Sequence, residues 1–211
     1  MIKELTGISN FHIASYAGEN EWDIPSVAMG AAVDVADVQY VSLSERCREK
    51  DRQNAILHGF SYDYQINCLW RNPSKYLKKL QQFRAVITPD YSVYTDLPRA
   101  LRMHSAYKRQ WLGRFWQENG VNVINCLSWA EGCIEDWTFA GIPKHSPVAL
   151  SVATAGVDMN VEVVEITQIV EMLEPCQVFI KASGAKLEML QSELDFDFEV
   201  IPVFVPLYRR K

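Results

Sequence analysis

Short apolar runs recur along this chain, and most are separated by a stretch with helical periodicity. Ala55-Ile56-Leu57-His58-Gly59-Phe60 reads as a core strand that stops at Ser61-Tyr62-Asp63-Tyr64. Pro73 opens a helical stretch through Leu80, since proline suits a first turn, and Ala85-Val86-Ile87-Thr88 follows as the next strand. Thr95-Asp96-Leu97-Pro98 combines cap residues with a proline, so a helix is predicted from there to about Glu118, where Asn119-Gly120 stops it. Its predicted buried stripe is Leu97, Leu101, His104, Trp111, Leu112, Phe115 and Trp116, with Arg99, Arg102 and Arg109 on a different stripe. Val121 to Trp129 and Pro147 to Gly156 are the next strands. Then come a helix over 161–173 ended by Pro175, a strand Gln177–Lys181, a helix over 185–194 and a last strand over 198–205. Val33 to Leu43 suits an earlier strand, whereas Ser44 to Gln53 is a mixed-charge run expected to be an exposed helix or loop.

Apolar strands joined by helical crossovers predict an α/β fold: a mostly parallel sheet of about six core strands, either open or curled into an incomplete or closed β/α barrel. No repeat or linker divides the 211 residues, so a single domain over 1–211 is expected, with residues 1–25 as an irregular N-terminal segment. No run approaches the roughly 18 apolar residues of a membrane helix, so no membrane partner is expected. The N-terminus lacks the basic and apolar regions of a secretion signal. Five scattered cysteines without a C-x-x-C pair argue for free thiols, and Cys68, Cys126 and Cys176 read as small buried hydrophobes. A cytoplasmic setting is the consistent expectation.

The net charge of −5 hides an uneven distribution, with ten basic and two acidic residues between Arg71 and Arg114, against 11 and 24 elsewhere. Such a block either faces phosphates or pairs with the acidic remainder. Parallel sheets present their sites at the carboxyl ends of strands, and Asp63, Asp90, Trp129 and Thr154 stand at such ends. Asp63 and Asp90 are therefore the candidate catalytic carboxylates, able to divide acid and base roles or to share a divalent cation. The competing reading is that each caps a turn. Tyr91, Asp96, Trp129 and Glu131 join them as candidate ligand-binding residues, and Trp137 reads as a surface tryptophan. Lys181 and Ser183 open a strand-to-helix turn that could hold a phosphate, although the glycine spacing of a phosphate loop is missing. Arg99, Arg102 and Arg109 are the candidate phosphate-binding stripe. His58 and His104 read as packed histidines, and His145 stands at the amino-terminal edge of its strand. No Ser-His-Asp elbow, H-x-x-x-H pair or dinucleotide fingerprint is present.

The segments 57–64, 70–73, 88–98, 120–129 and 139–143 resemble an uncharacterised family, the domain of unknown function 4417. The run Pro89-Asp90-Tyr91-Ser92-Val93-Tyr94-Thr95-Asp96-Leu97-Pro98 is the most specific part, and the likeness covers roughly residues 24–190. It implies an intracellular protein of bacteria, phages or other mobile elements, and it transfers no activity. The family pattern carries acidic residues where this chain has Asn67 and Ala140, departures that weigh against catalysis. Three functions follow as expectations. The first is a protein that binds or acts on a phosphate-bearing ligand, a nucleotide or nucleic acid, at the strand ends. The second is a non-catalytic accessory factor that binds a host protein. Glycoside-type hydrolysis by paired carboxylates is the third.

Overall fold

The computed structural model describes residues 10, 12–16, 20–46, 49–152 and 158–203. Seven strands form one sheet in the order of the chain: β1 (Gln39–Ser42), β2 (Ala55–His58), β3 (Ala85–Ile87), β4 (Val123–Cys126), β5 (Pro147–Ser151), β6 (Gln177–Lys181) and β7 (Glu199–Ile201). Every neighbouring pair is parallel. Among the described residues, five α-helices accompany them: α1 (Asp63–Arg71) and α2 (Pro73–Leu80) before β3, α3 (Arg99–Glu118) before β4, α4 (Met159–Leu173) before β6, and α5 (Gly184–Glu193) before β7. Among the described residues, no helix is long and apolar enough to cross a membrane.

Strictly sequential parallel order has a geometric consequence. Right-handed crossovers that all step the same way place every helix on one face of the sheet. The other face stays dry only if the sheet curls onto itself, and here it does. Ile56, Ala85, Ile87, Ile124, Cys126, Ala149, Phe179 and Ile201 form a buried inner cluster drawn from six strands. Tyr40 of β1 meets Phe179 of β6 across that interior, with ring centroids 6.4 Å apart. Gln177 of β6 closes the same gap below, accepting from Val33 N at 2.8 Å and donating to Val33 O at 3.1 Å. No ladder joins β7 to β1 among the described residues, so the barrel is nearly closed.

The outward residues of the strands pack under the helices in two clusters. Val41, Leu57, Val86 and Val123 lie beneath α1, α2 and α3, with Trp70, Trp111 and Trp116 filling the space. Val148, Leu150, Val178 and Ile180 lie beneath α4 and α5, against Ile166, Ile169 and Leu190. Two glycines permit close approaches. A Cβ on Gly113 of α3 would lie 2.9 Å from Val27 and 3.0 Å from Thr88. Gly141 has φ +80°, and its Cβ would fall 2.2 Å from Pro25 O, where the N-terminal segment docks through Val27 N to Gly141 O at 2.9 Å.

Several expectations need correction. Helix α1 occupies residues that the sequence pattern left as a strand end, with Asp63 in its first turn rather than in a loop. Its N-cap is Tyr62, which supplies no side-chain bond, so the usual start signal is missing. Helix α3 begins at Arg99, after Pro98, and not at the Thr95-Asp96 cap. Trp111, Leu112, Phe115 and Trp116 are buried as expected, but the first half of the helix differs. Leu101 and His104 are exposed, whereas Ser105, Ala106, Arg109 and Gln110 are buried. Trp137 is buried and not a surface ring. The cysteines Cys68, Cys126, Cys133 and Cys176 are free thiols, but Cys176 is exposed and Cys68 half-buried, so only Cys126 of the expected three lies in the core. Cys47 and Thr154 fall outside the described residues.

Candidate functional site

The carboxyl ends of the strands open into one cleft of about 920 Å³. Phe60, Ser61, Tyr62 and Asp63 after β2 form part of its wall, with Asp90, Ser92, Val93, Tyr94, Thr95 and Asp96 after β3. Leu127 to Glu131 after β4, Ser151 of β5, Glu162 of α4 and Lys181 of β6 complete the lining. Five carboxyl groups thus face one ammonium.

Strand β3 ends abruptly because Pro89 has no N–H for the ladder. Thr88 fills part of the gap, its Oγ1 accepting from Cys126 N at 2.8 Å. Asp90 follows at the lip, beside Ser128, Cys126 and Asp63. Burial raises its carboxyl above the usual range, while the Ser128 hydroxyl and the Arg109 charge pull the other way. Asp63 reaches the same place from the start of α1. Its Oδ1 accepts from Ser92 N at 3.1 Å and from Ser92 Oγ at 2.9 Å, which ties α1 to the loop after β3. That contact holds Tyr62 and Tyr94 on the cleft wall.

Opposite them, α4 brings two glutamates that the sequence reading did not select. Glu165 is buried and uses both oxygens, accepting from Trp129 Nε1 and from Gly132 N, each at 2.7 Å. It thereby fixes the Trp129 ring, which also meets Phe139 edge-on at 6.4 Å. Glu162 lies one turn earlier and faces the cleft. Burial raises its pKa from 4.5 to about 7; Lys186 opposes the rise, and Glu165 and Glu131 add to it. Acidic residues suit a helix N-terminus, but here desolvation outweighs that benefit. Glu131 accepts from Asp158 N at 3.2 Å, joining the loop after β4 to the cap of α4.

Lys181 stands at the end of β6 and spans the mouth, donating to Phe60 O at 3.3 Å. Burial lowers its ammonium pKa, and Asp90 partly restores it. Below it, His58 is packed in the barrel, as expected, but its Nδ1 has no hydrogen-bond partner. Burial and the nearby Lys181 push it down to about 3, so the imidazole is neutral at physiological pH.

The structure therefore brings Asp63, Asp90, Asp96, Trp129, Glu131 and Lys181 to one cleft. Ser183 stands at the N-cap position of α5 without a side-chain capping bond and is exposed, outside that lining. Tyr91 is fully buried beneath Lys108, whose ammonium sits 3.8 Å from its ring centroid, so it presents no ligand-facing surface. The three arginines do not form one exposed stripe: Arg99 is exposed, Arg102 partly buried and Arg109 fully buried. Arg99 and Arg102 share Glu135 at 2.6 and 2.9 Å. Arg109 is fully buried and donates to Thr138 O at 3.2 Å. Its Nε and Nη1 have no partner. Among the described residues no group of three His, Cys, Asp or Glu side chains is placed to hold a metal ion.

The Gene 1 protein of Mycobacterium phage L5 is 36% identical over 100 residues, covering 47% of this chain and 44% of that protein. The Gene 1 protein of Mycobacterium phage D29 is 37% identical over 95 residues, covering 45% of this chain and 35% of that protein. The chain thus spans less than half the length of these relatives. No solved structure matches it. A family model described as "Domain of unknown function (DUF4417)" matches residues 16–191, a span that includes strands β1 to β6 and every residue lining the cleft. The chain belongs to that family.

Proposed function

We propose that the barrel mouth is an acid–base site for an uncharged, hydroxyl-rich ligand of the sugar type, in a phage- or mobile-element-associated protein. The observation that carries this reading is the lining: five carboxyls against one ammonium, with tyrosines and Trp129 on the walls. Carboxylates accept hydrogen bonds from hydroxyls and aromatic faces pack on sugar rings, whereas a polyanion would meet net repulsion in a partly desolvated cleft. Glu162, held near neutrality, supplies a proton to a departing oxygen. Asp90, when ionised, takes the proton of the water or hydroxyl that replaces it; burial raises its carboxyl, and the Ser128 hydroxyl and the Arg109 charge oppose that rise. Two carboxyls of different environment are what glycoside cleavage requires.

A phosphate-bearing ligand, nucleotide or nucleic acid, is the second reading. One observation favours it: Lys181 enters the cleft beside the exposed first turn of α5, where Ser183 makes no capping bond. Thermal-shift titrations separate the two. Under the first reading neutral oligosaccharides raise the melting temperature independently of salt. Glu162→Gln and Asp90→Asn then keep that binding and lose turnover of the bound sugar. A rise produced instead by nucleoside triphosphate or single-stranded DNA, and lost as salt increases, would replace the first reading with the second. Capture of a host protein that leaves the cleft open would favour the accessory-factor role.

A further inference from the structure

Three tyrosines are left largely exposed at the cleft, at some cost in unburied aromatic surface. Tyr62 is 73% exposed, Tyr64 76% and Tyr94 58%. Tyr62 and Tyr94 line the cleft, and Tyr64 stacks on Tyr62 with centroids 5.8 Å apart and planes 12° from parallel. No Trp or Phe shares this exposure among the described residues; the other large exposed side chains are aliphatic. Single exposed apolar residues need no explanation, but a grouped aromatic set at the rim of a cleft does.

The segments that carry the tyrosines are tied together, and Tyr62 and Tyr64 are braced against each other. Asp63 lies between Tyr62 and Tyr64 in the chain and accepts both Ser92 donors, which fixes the start of α1 against the segment that carries Tyr94. Gln65 donates to the Tyr64 hydroxyl at 3.1 Å and accepts from Ser61 Oγ. An aromatic side chain restrained before binding loses little entropy when a ring settles on it. Their hydroxyls tolerate water, which suits a subsite open to solvent.

Resting on the sugar-type reading above, we infer that Tyr62, Tyr64 and Tyr94 form a rim subsite that seats a further ring of an uncharged oligosaccharide, beyond the two rings joined by the reacting bond, which lie deeper, between Asp90 and Glu162. The ligand class is thus a chain and not a monosaccharide. Charge selects the occupant. Nucleobases also stack on tyrosine, but a strand leading from this rim into the cleft would draw its phosphates past Asp63, Asp96 and Glu131. A neutral glycan crosses the same carboxyls by hydrogen bonding to them.

The test uses the full chain and isothermal titration with neutral glycans supplied as dimers and hexamers: β-1,4-linked glucose, β-1,4-linked N-acetylglucosamine, α-1,4-linked glucose and α-1,6-linked mannose. The expected result is a hexamer that binds about tenfold more tightly than its dimer, the worth of one added stacking contact. Tyr62→Ala and Tyr94→Ala should each erase most of that advantage by lowering the hexamer's affinity more than the dimer's, while circular dichroism shows the fold intact. A hexamer and dimer of equal affinity, with both variants silent, overturns the rim subsite and leaves the sugar-type cleft standing. No binding by any of these glycans overturns both. Binding of a twelve-residue oligothymidylate that depends on Tyr62 and Tyr94 would reassign the rim to single-stranded nucleic acid and overturn the inference.

Discussion

Replacing Glu162 by glutamine tests the electrostatics of the cleft without needing a ligand. The side chain is 8% exposed, and burial raises its pKa from 4.5 to about 7. An acid with a raised pKa in the folded state binds its proton more tightly there than in the unfolded chain. The stability it contributes is fully present below pH 4.5 and is lost as pH rises through about 7. At about 1.4 kcal/mol per pKa unit, the ionised group costs roughly 3 kcal/mol above pH 8. Glutamine keeps the shape and the hydrogen-bonding capacity but never ionises. The variant and the parent should therefore melt together near pH 4, and the variant should gain steadily to about 2–3 kcal/mol at pH 8.5. For a chain of this size that corresponds to about 5–10 °C in melting temperature. Calorimetric melts of both proteins between pH 4 and 9 provide the measurement. Titration of carboxylates distant from the site is common to both and cancels in the difference. A difference that stays flat with pH would refute the buried, protonated carboxyl. A variant less stable than the parent at high pH would show that Glu162 is ionised and held by Lys186.

Trp111 is fully buried, stacked on Phe115 at 5.0 Å with its Nε1 donating to Ala14 O, so Trp111→Ala should cost about 3–5 kcal/mol in urea unfolding. Trp129 is only half-buried, so Trp129→Ala should cost less, about 1–3 kcal/mol, mainly from the Glu165 oxygen it leaves unpaired; equal costs would make Trp129 a core residue. Arg109→Glu would bury a second negative charge beside Asp90 and should abolish folding as read by circular dichroism, whereas Arg99→Glu at a 57% exposed side chain should cost under about 1 kcal/mol. A folded Arg109→Glu protein would show that this side chain is not confined to the interior.

The order of strands was legible because period and punctuation agree. Runs near residues 56, 86, 123, 150, 179 and 201 are all strands, and the weaker segment at 33–43 supplies β1 over its last part. Closure was not legible. Curling depends on every crossover stepping the same way, and the contact that displays it, Tyr40 on Phe179, joins residues far apart in sequence. Small inner residues were the available hint, since Ala85, Ala149 and Cys126 leave room for a narrow barrel interior. Helix α1 was hidden for a local reason: its N-cap, Tyr62, makes no side-chain bond, so no start signal was there to read.

The site divides along a similar line. Asp63, Asp90, Trp129 and Lys181 line one cleft, which could be expected because strand ends in parallel sheets meet at one edge, a rule that needs no side-chain detail. Glu162 was missed because a glutamate early in a helix reads as solvated, yet the first turn of a crossover helix also lies at the carboxyl edge. The burial of Arg109 was not legible, for a different reason. Helical periodicity says which residues share a face, but not which face meets the sheet, and charge was taken as the sign of exposure. Size was the better guide. Ser105, Arg109 and Gly113 follow one another at four-residue spacing, with Ala106 beside them, and Gly113 is where α3 comes within contact of Thr88 and Val27. A row of small residues allows helix and sheet to approach, and a long side chain in that row must run between them. Arg109 is that side chain, and its buried guanidinium puts a positive charge behind Asp90 rather than on the surface.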